Sequence, residues 1–226
     1  MKKSTDSWYK NRTWNGDIDT RFEKQLRYTR NPIHKAEYLL TQGTLLLENA
    51  NQNIQEVGQV LLSRLIEDLP TEHSPILTAQ EKLGDYFFKI KNYEKAAEYY
   101  KVVTEYCVQQ HSRTNTSLIT DLKWAESIFY MNLVEQFEKA YQLVQQYPKN
   151  LLQTPAQKFY YAELGALLCE RMYKKTEAID FAREAVELSA IKQSLPAVIK
   201  SKAADAAMAS RVQKLEIIID GMEDGE

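Results

Sequence analysis

The residues with the most chemical reach in this chain are three histidines, His34, His73 and His111, and two cysteines, Cys107 and Cys169. A transition-metal site needs such ligands at short spacings, and a nucleophilic thiol needs a base or a cation beside it. Cys107 and His111, four residues apart, come nearest to that pattern. The thiol lies in a helical stretch and the histidine in the connector after it, so the pair reads as a small buried thiol beside a loop residue. No His-Glu-x-x-His, Gly-x-Ser-x-Gly, phosphate-loop or Gly-x-Gly-x-x-Gly pattern occurs, and seven glycines leave little from which to build a phosphate cradle. Carboxylates are plentiful but fall on helical surfaces. The sequence thus assigns no catalytic residue, no metal site and no cofactor, and the chain reads as a binding protein, not an enzyme.

A binding protein needs a scaffold, and composition limits which one. With 226 residues, 44 % of them hydrophobic, and seven glycines and six prolines, the chain can bury a full core and is neither disordered nor turn-rich. The net charge is −2, but residues 1–35 carry nine Lys/Arg against four Asp/Glu, leaving 20 against 27 for the remainder. A basic first helix on an otherwise acidic protein is the expectation, and nucleic acid is a poor partner for it. Met1 to Trp14 is polar, and no stretch approaches the ~18 apolar residues of a membrane span. The expected place is the cytoplasm, with no membrane contact.

All six prolines, at 32, 70, 75, 148, 155 and 196, fall where helical periodicity lapses, because proline lacks an N–H and clashes with the preceding turn. Between them the spacing predicts a first helix carrying Ile18, Phe22 and Leu26 on one stripe, capped by Asn15. Further helices are predicted over about 36–50, 54–68, 77–91, 93–109, 119–133, 136–147, 156–173, 176–190 and 196–219. No segment alternates with period two. The predicted fold class is all-α.

One hairpin carries more information. Leu83-Gly84-Asp85-Tyr86-Phe87 is followed by Tyr93, Ala96-Ala97 and Tyr99-Tyr100. This resembles the tetratricopeptide repeat, with small residues where two helices cross and aromatic residues around the crossing. The pattern returns in Tyr161, Leu164-Gly165 and Leu168 with Ala178, Ala182 and Ala185. It is weaker around Trp124, Ala140 and Tyr147-Pro148, and weakest around Gly58, Leu62, Leu65 and Pro70. The small sites at 58, 96, 140 and 178 are spaced 38, 44 and 38 residues, more than the usual 34. The resemblance implies one domain over 1–226, a right-handed superhelix of antiparallel hairpins. Residues 1–35 form an N-terminal cap, 36–190 about four hairpins, and 191–226 a C-terminal capping helix with an acidic tail. Ala203, Ala204, Ala206, Ala207 and Ala209 are expected to pack on the preceding helix.

The opening Ser7-Trp8-Tyr9-Lys10-Asn11-Arg12-Thr13-Trp14-Asn15 resembles that of a group of bacterial tetratricopeptide-repeat proteins with an SWY-x-N-x-TWN-like start. Trp14, with Phe22 and Leu26, is expected to pack on the first hairpin. Trp8, Tyr9 and Arg12 are the candidates here for touching a partner. In the repeat, first helices line a groove, which the resemblance places at Glu81, Asp85, Phe88 and Lys89, at Phe129, Asn132 and Leu133, and at Phe159, Ala162, Ala166 and Glu170. Relatives that grip a terminal carboxylate use Lys, Arg and Asn there, whereas Glu81 and Asp85 would repel one. Glu81, on the groove face, is expected to contribute little to stability. The expected partner is another protein or peptide, basic or amphipathic, and the expected role that of a scaffold or adaptor, in its narrower form an immunity or antitoxin-like protein. An RNA-binding helical repeat is the alternative.

Overall fold

The structure, a computed structural model, describes residues 8–71, 73–113, 116–193 and 202–223. Among them are ten α-helices and no strand. Their bounds are α1 Gly16–Tyr28, α2 Pro32–Leu47, α3 Gln52–Asp68, α4 His73–Lys89, α5 Tyr93–Gln109, α6 Thr120–Met131, α7 Phe137–Gln145, α8 Pro155–Arg171, α9 Lys175–Gln193 and α10 Lys202–Glu223. None is long and apolar enough to cross a membrane. The chain divides into two compact units, Met1–Ser117 and Leu118–Glu226. The division falls at the end of the long connector expected near 109–118.

The helix ends follow from local chemistry. Asn15, Asn31, Asn51 and Asn92 each accept a backbone N–H of the first turn, and Thr154 with Gln157 forms a reciprocal capping box. Each such cap contributes about 1 kcal/mol. Asn31-Pro32 starts α2, ahead of the predicted 36: Asn31 caps the helix and Pro32 supplies a preset φ in its first turn. Thr29 terminates α1. Lys91, His111 and Tyr173 stand in the left-handed region at the ends of α4, α5 and α8, where glycine is the usual choice. The N–H groups of Asn92, Ser112 and Lys174 reach back to Phe87, Cys107 and Cys169 carbonyls at 2.9, 3.1 and 2.9 Å, closing the same turn three times.

Within the first unit, α2 packs on α3 and α4 on α5, and α4 also touches both α2 and α3. Within the second, α6 packs on α7 and α8 on α9, and α8 touches both α6 and α7. α10 then lies against α9 and α8. In three hairpins a glycine on the first helix faces a large side chain of the second. A methyl group placed on Gly84 would stand 2.5 Å from the Tyr100 ring, on Gly165 2.7 Å from the Phe181 ring, and on Gly43 2.7 Å from Leu62. Ala96, Ala140 and Ala178 are fully buried. The first hairpin goes further, because a methyl group on Gly58 would stand 2.7 Å from both the Gly43 carbonyl oxygen and the Leu47 nitrogen. There the two backbones themselves meet.

The last helix departs from expectation. Its described alanines, Ala206, Ala207 and Ala209, are exposed, and it buries Leu215 and Ile218 instead. The side chains of Ala203 and Ala204, and the start expected at 196, lie outside the described residues. Large side chains win because each removes more apolar surface from water than an alanine can. The helix runs past the predicted 219, to Glu223.

Adding one methyl at each glycine separates these environments. Gly58→Ala meets backbone that cannot step aside and should cost the most, about 1–3 kcal/mol after any gain in helix propensity. Gly84→Ala should cost somewhat less, since a ring can tilt. Gly16→Ala, with nothing within 4 Å, should be neutral or slightly stabilising. Urea denaturation of the three variants would reveal this order, and equal midpoints would refute the crossing.

Candidate functional site

The stripe carried over to α4 is open only in part, with Asp85 and Phe88 half-buried. Glu81 is buried, and its carboxylate accepts the Ser117 N–H at 2.9 Å and the Ser117 hydroxyl, tying the end of the connector to α4. Asp85 accepts the Tyr100 hydroxyl at 2.7 Å, which holds the ring that lies on Gly84. Phe88 meets Tyr93 edge-on at 5.2 Å, and Lys89 is exposed. The expectation that Glu81 contributes little is therefore corrected. A carboxylate satisfied by two donors away from water is structural, and the spacing along one helix could not reveal a partner 36 residues away.

The second unit does form a groove, of about 700 Å³. α6 contributes Glu126, Phe129 and Tyr130, α8 contributes Tyr160, Glu163, Leu167, Glu170 and Arg171, and α10 contributes Arg211, Lys214, Ile217 and Ile218. Of the residues carried over, Phe129 and Glu170 line it. Phe159 is buried, with the Arg211 guanidinium 4.7 Å from its ring centre. Asn132 is exposed and ends α6 in the left-handed conformation, outside the lining, as is Leu133. Ala162 and Ala166 are fully buried.

Sequence reasoning missed the polar centre of this groove. The Tyr160 hydroxyl donates to Glu126 at 2.6 Å, and Arg211 grips Glu163 with two N–H groups, Nε at 2.7 Å. Burial, more than the neighbouring Glu163 charge, pushes the Glu126 carboxyl above the usual carboxylate range, while the Tyr160 bond and Arg211 pull it back. Arg171 rests 5.9 Å from the Phe129 ring centre. Nothing in the sequence marks Glu126, Glu163 and Arg211 as a set, because they come from three helices up to 85 positions apart.

At the other end, Trp8 and Tyr9 are half-buried and Arg12 is exposed. Trp8, the tryptophan favoured for partner contact, meets Tyr9, Phe22 and Tyr38 at ring distances of 5.4, 5.3 and 4.8 Å. Trp14 meets Phe22 of α1 at 5.5 Å. Docking the two half-buried indoles gains part of the about 1.5–3 kcal/mol that full burial of a large apolar side chain contributes. Lys10 lies 5.3 Å from the Tyr9 ring centre.

Both cysteines are buried, and burial pushes the Cys169 thiol up to about 11, so it stays protonated at neutral pH. Among the described residues no group of three His, Cys, Asp or Glu side chains could hold a metal ion. Comparison of the chain with protein-family models, curated proteins and solved structures finds no match.

Two variants test these assignments. Glu81→Ala should lower stability by about 1–3 kcal/mol by removing charge-assisted bonds and leaving the Ser117 donors unmet, and an unchanged denaturation midpoint would contradict it. Glu126→Gln keeps an acceptor for Tyr160 without the charge. The raised carboxyl holds its proton in the folded state at pH values where the unfolded chain has lost it. Raising pH through that window therefore costs the wild type stability that the Gln variant keeps. Melting curves should show the variant's advantage growing from the ordinary carboxylate range toward neutrality; a constant difference would contradict the shift.

Proposed function

We propose that this protein is a tetratricopeptide-like helical-repeat scaffold that binds an amphipathic segment of a partner protein in the groove between α6, α8 and α10. The observation that carries the reading is the groove's mixed lining. Phe129, Tyr130, Leu167 and Ile217 offer an apolar stripe, and carboxylates and cations flank it. Pockets of this size with an apolar floor and a few placed polar groups are the usual form of a ligand site. The repeated glycine crossings, and the contact of each hairpin's first helix with both helices of the preceding one inside each unit, support the superhelical part of the reading.

The charges favour a basic partner side chain. Glu163 is already neutralised by Arg211, and Arg171 leans on an aromatic face, whereas Glu126 is bonded by a neutral hydroxyl. A cation arriving beside Glu126 would favour the ionised form of that carboxyl and gain an attraction little screened by water. An acidic peptide would meet Glu126 and Glu170 at close quarters. The setting proposed for this encounter is the cytoplasm.

Selection from a display library of amphipathic peptides should enrich sequences with apolar residues at helical spacing and at least one Lys or Arg. Ile217 is 61 % exposed, so Ile217→Glu should leave the fold intact while weakening the selected peptides at least tenfold, about 1.4 kcal/mol. Val60→Glu, at a 62 % exposed site in the other unit, should not. Enrichment of acidic peptides, or equal binding by both variants, would overturn the proposal.

A further inference from the structure

The N-terminal segment is held in a way that packing alone does not require. Gln42 is 0 % exposed and belongs to α2. Its Oε1 accepts the Asn11 backbone N–H at 2.9 Å, and its Nε2 donates to the Asn11 carbonyl at 2.7 Å. One side-chain amide thus pairs with both backbone groups of one residue, as a neighbouring β-strand would. Asn49, after the end of α2, adds a bond from its Nδ2 to the Arg12 carbonyl at 2.6 Å. The Asn11 side chain donates to the Trp8 carbonyl at 2.6 Å and to Gln42 Oε1 at 3.1 Å, folding residues 8–11 so that the Trp8 ring reaches Phe22 and Tyr38.

The position of Gln42 in the hairpin shows that this arrangement is built. Gly43, Gly84 and Gly165 are equivalent, since each faces the large side chain of its second helix. The residue before them is Leu83 in one hairpin and Leu164 in another, both buried, and Gln42 in the first. An apolar core site has become a buried amide, which is costly unless both its polar ends are bonded. The segment supplies both bonds, and three of the four bonds given to it by Gln42 and Asn49 go to main-chain atoms. Recognition through main-chain atoms, with one ring pocket and one Asn for selectivity, is how an extended peptide is read.

We propose that the α2 surface around Gln42 is a binding site for a peptide of the pattern Trp-x-x-Asn, which the chain's own residues 8–14 occupy in cis. The site lies in the first unit and is independent of the groove in the second. Tethering gives the resident segment an effective concentration of about millimolar, so a free peptide competes poorly until the segment is displaced. The same segment offered by another molecule is an occupant of equal fit.

The test uses the full chain and a fluorescent peptide of residues 5–15. Asn11→Asp in the chain replaces a donor by an acceptor facing the Gln42 Oε1 and the Trp8 carbonyl, and so releases the resident segment. The peptide should bind this variant at least tenfold more tightly than the wild type. Adding Gln42→Leu, the residue type of the matching sites, should abolish binding with circular dichroism unchanged. A folded Asn11→Asp chain that ignores the peptide, or binding that survives Gln42→Leu, would overturn the proposal. Hydrogen exchange on the wild type tests it without any variant. The Asn11 amide should be protected, yet at least a hundredfold less than the α3 core amides, as a local opening requires. Protection equal to the core would mean that the segment leaves only on global unfolding, contradicting exchange.

Discussion

The structure depends on a close approach of two helices at a glycine. In three hairpins the first helix gives up a side chain so that Leu62, Tyr100 or Phe181 of the second can lie against its surface. The glycine costs up to about 1 kcal/mol of helix propensity, which burial of a large side chain exceeds. Because the pair meets at one height only, it also fixes the register of the hairpin. Everything carried on the outer faces inherits that register, including the Asp85 bond that restrains Tyr100 and the projection of α8 side chains into the groove of the second unit. Where both helices bear a glycine, as at Gly43 and Gly58, the backbones are in contact and the crossing has no slack.

Such crossings leave an end problem. A hairpin packed in this way leaves an apolar face that another element must cover. In the first unit the cover includes a short polar-aromatic segment, and the chain adapts to it by placing Gln42 where the α4 and α8 hairpins have Leu83 and Leu164. In the second unit α10 buries Leu215 and Ile218 and sends Arg211 to Glu163, and in doing so forms one wall of the groove. Completing the core and forming the groove are therefore both tasks of α10. The same helix that completes the core sets the charge balance around Glu126.

The helices, their approximate bounds and two of the crossings were legible from sequence, because period, proline placement and a glycine followed by alanine are local signals. Gly43 was not, since fifteen positions separate it from Gly58 and the usual interval is twelve. The candidate residues fared unevenly for one reason. A stripe along a single helix says which residues share a face but not what lies over it. The Ser117 contact thus turned Glu81 inward, while Phe129 and Glu170 stayed on an open groove. The docking of Trp8 is not legible locally, because its ring partners Phe22 and Tyr38 lie on α1 and α2. Glu126, Tyr160, Glu163 and Arg211 acquire meaning only together, and nothing local unites them.

The claim on which the functional account rests is that the α6–α8–α10 groove is the surface another protein touches. Site-specific photo-crosslinking in cells tests it most directly, with a benzophenone amino acid placed at Tyr130 or at Tyr173. Tyr130 lines the groove, whereas Tyr173 is 90 % exposed in the turn between α8 and α9. Irradiation should yield a discrete protein adduct from position 130, lost when Ile217→Glu is added, and none from position 173. An adduct from position 173 with none from position 130 would contradict the account.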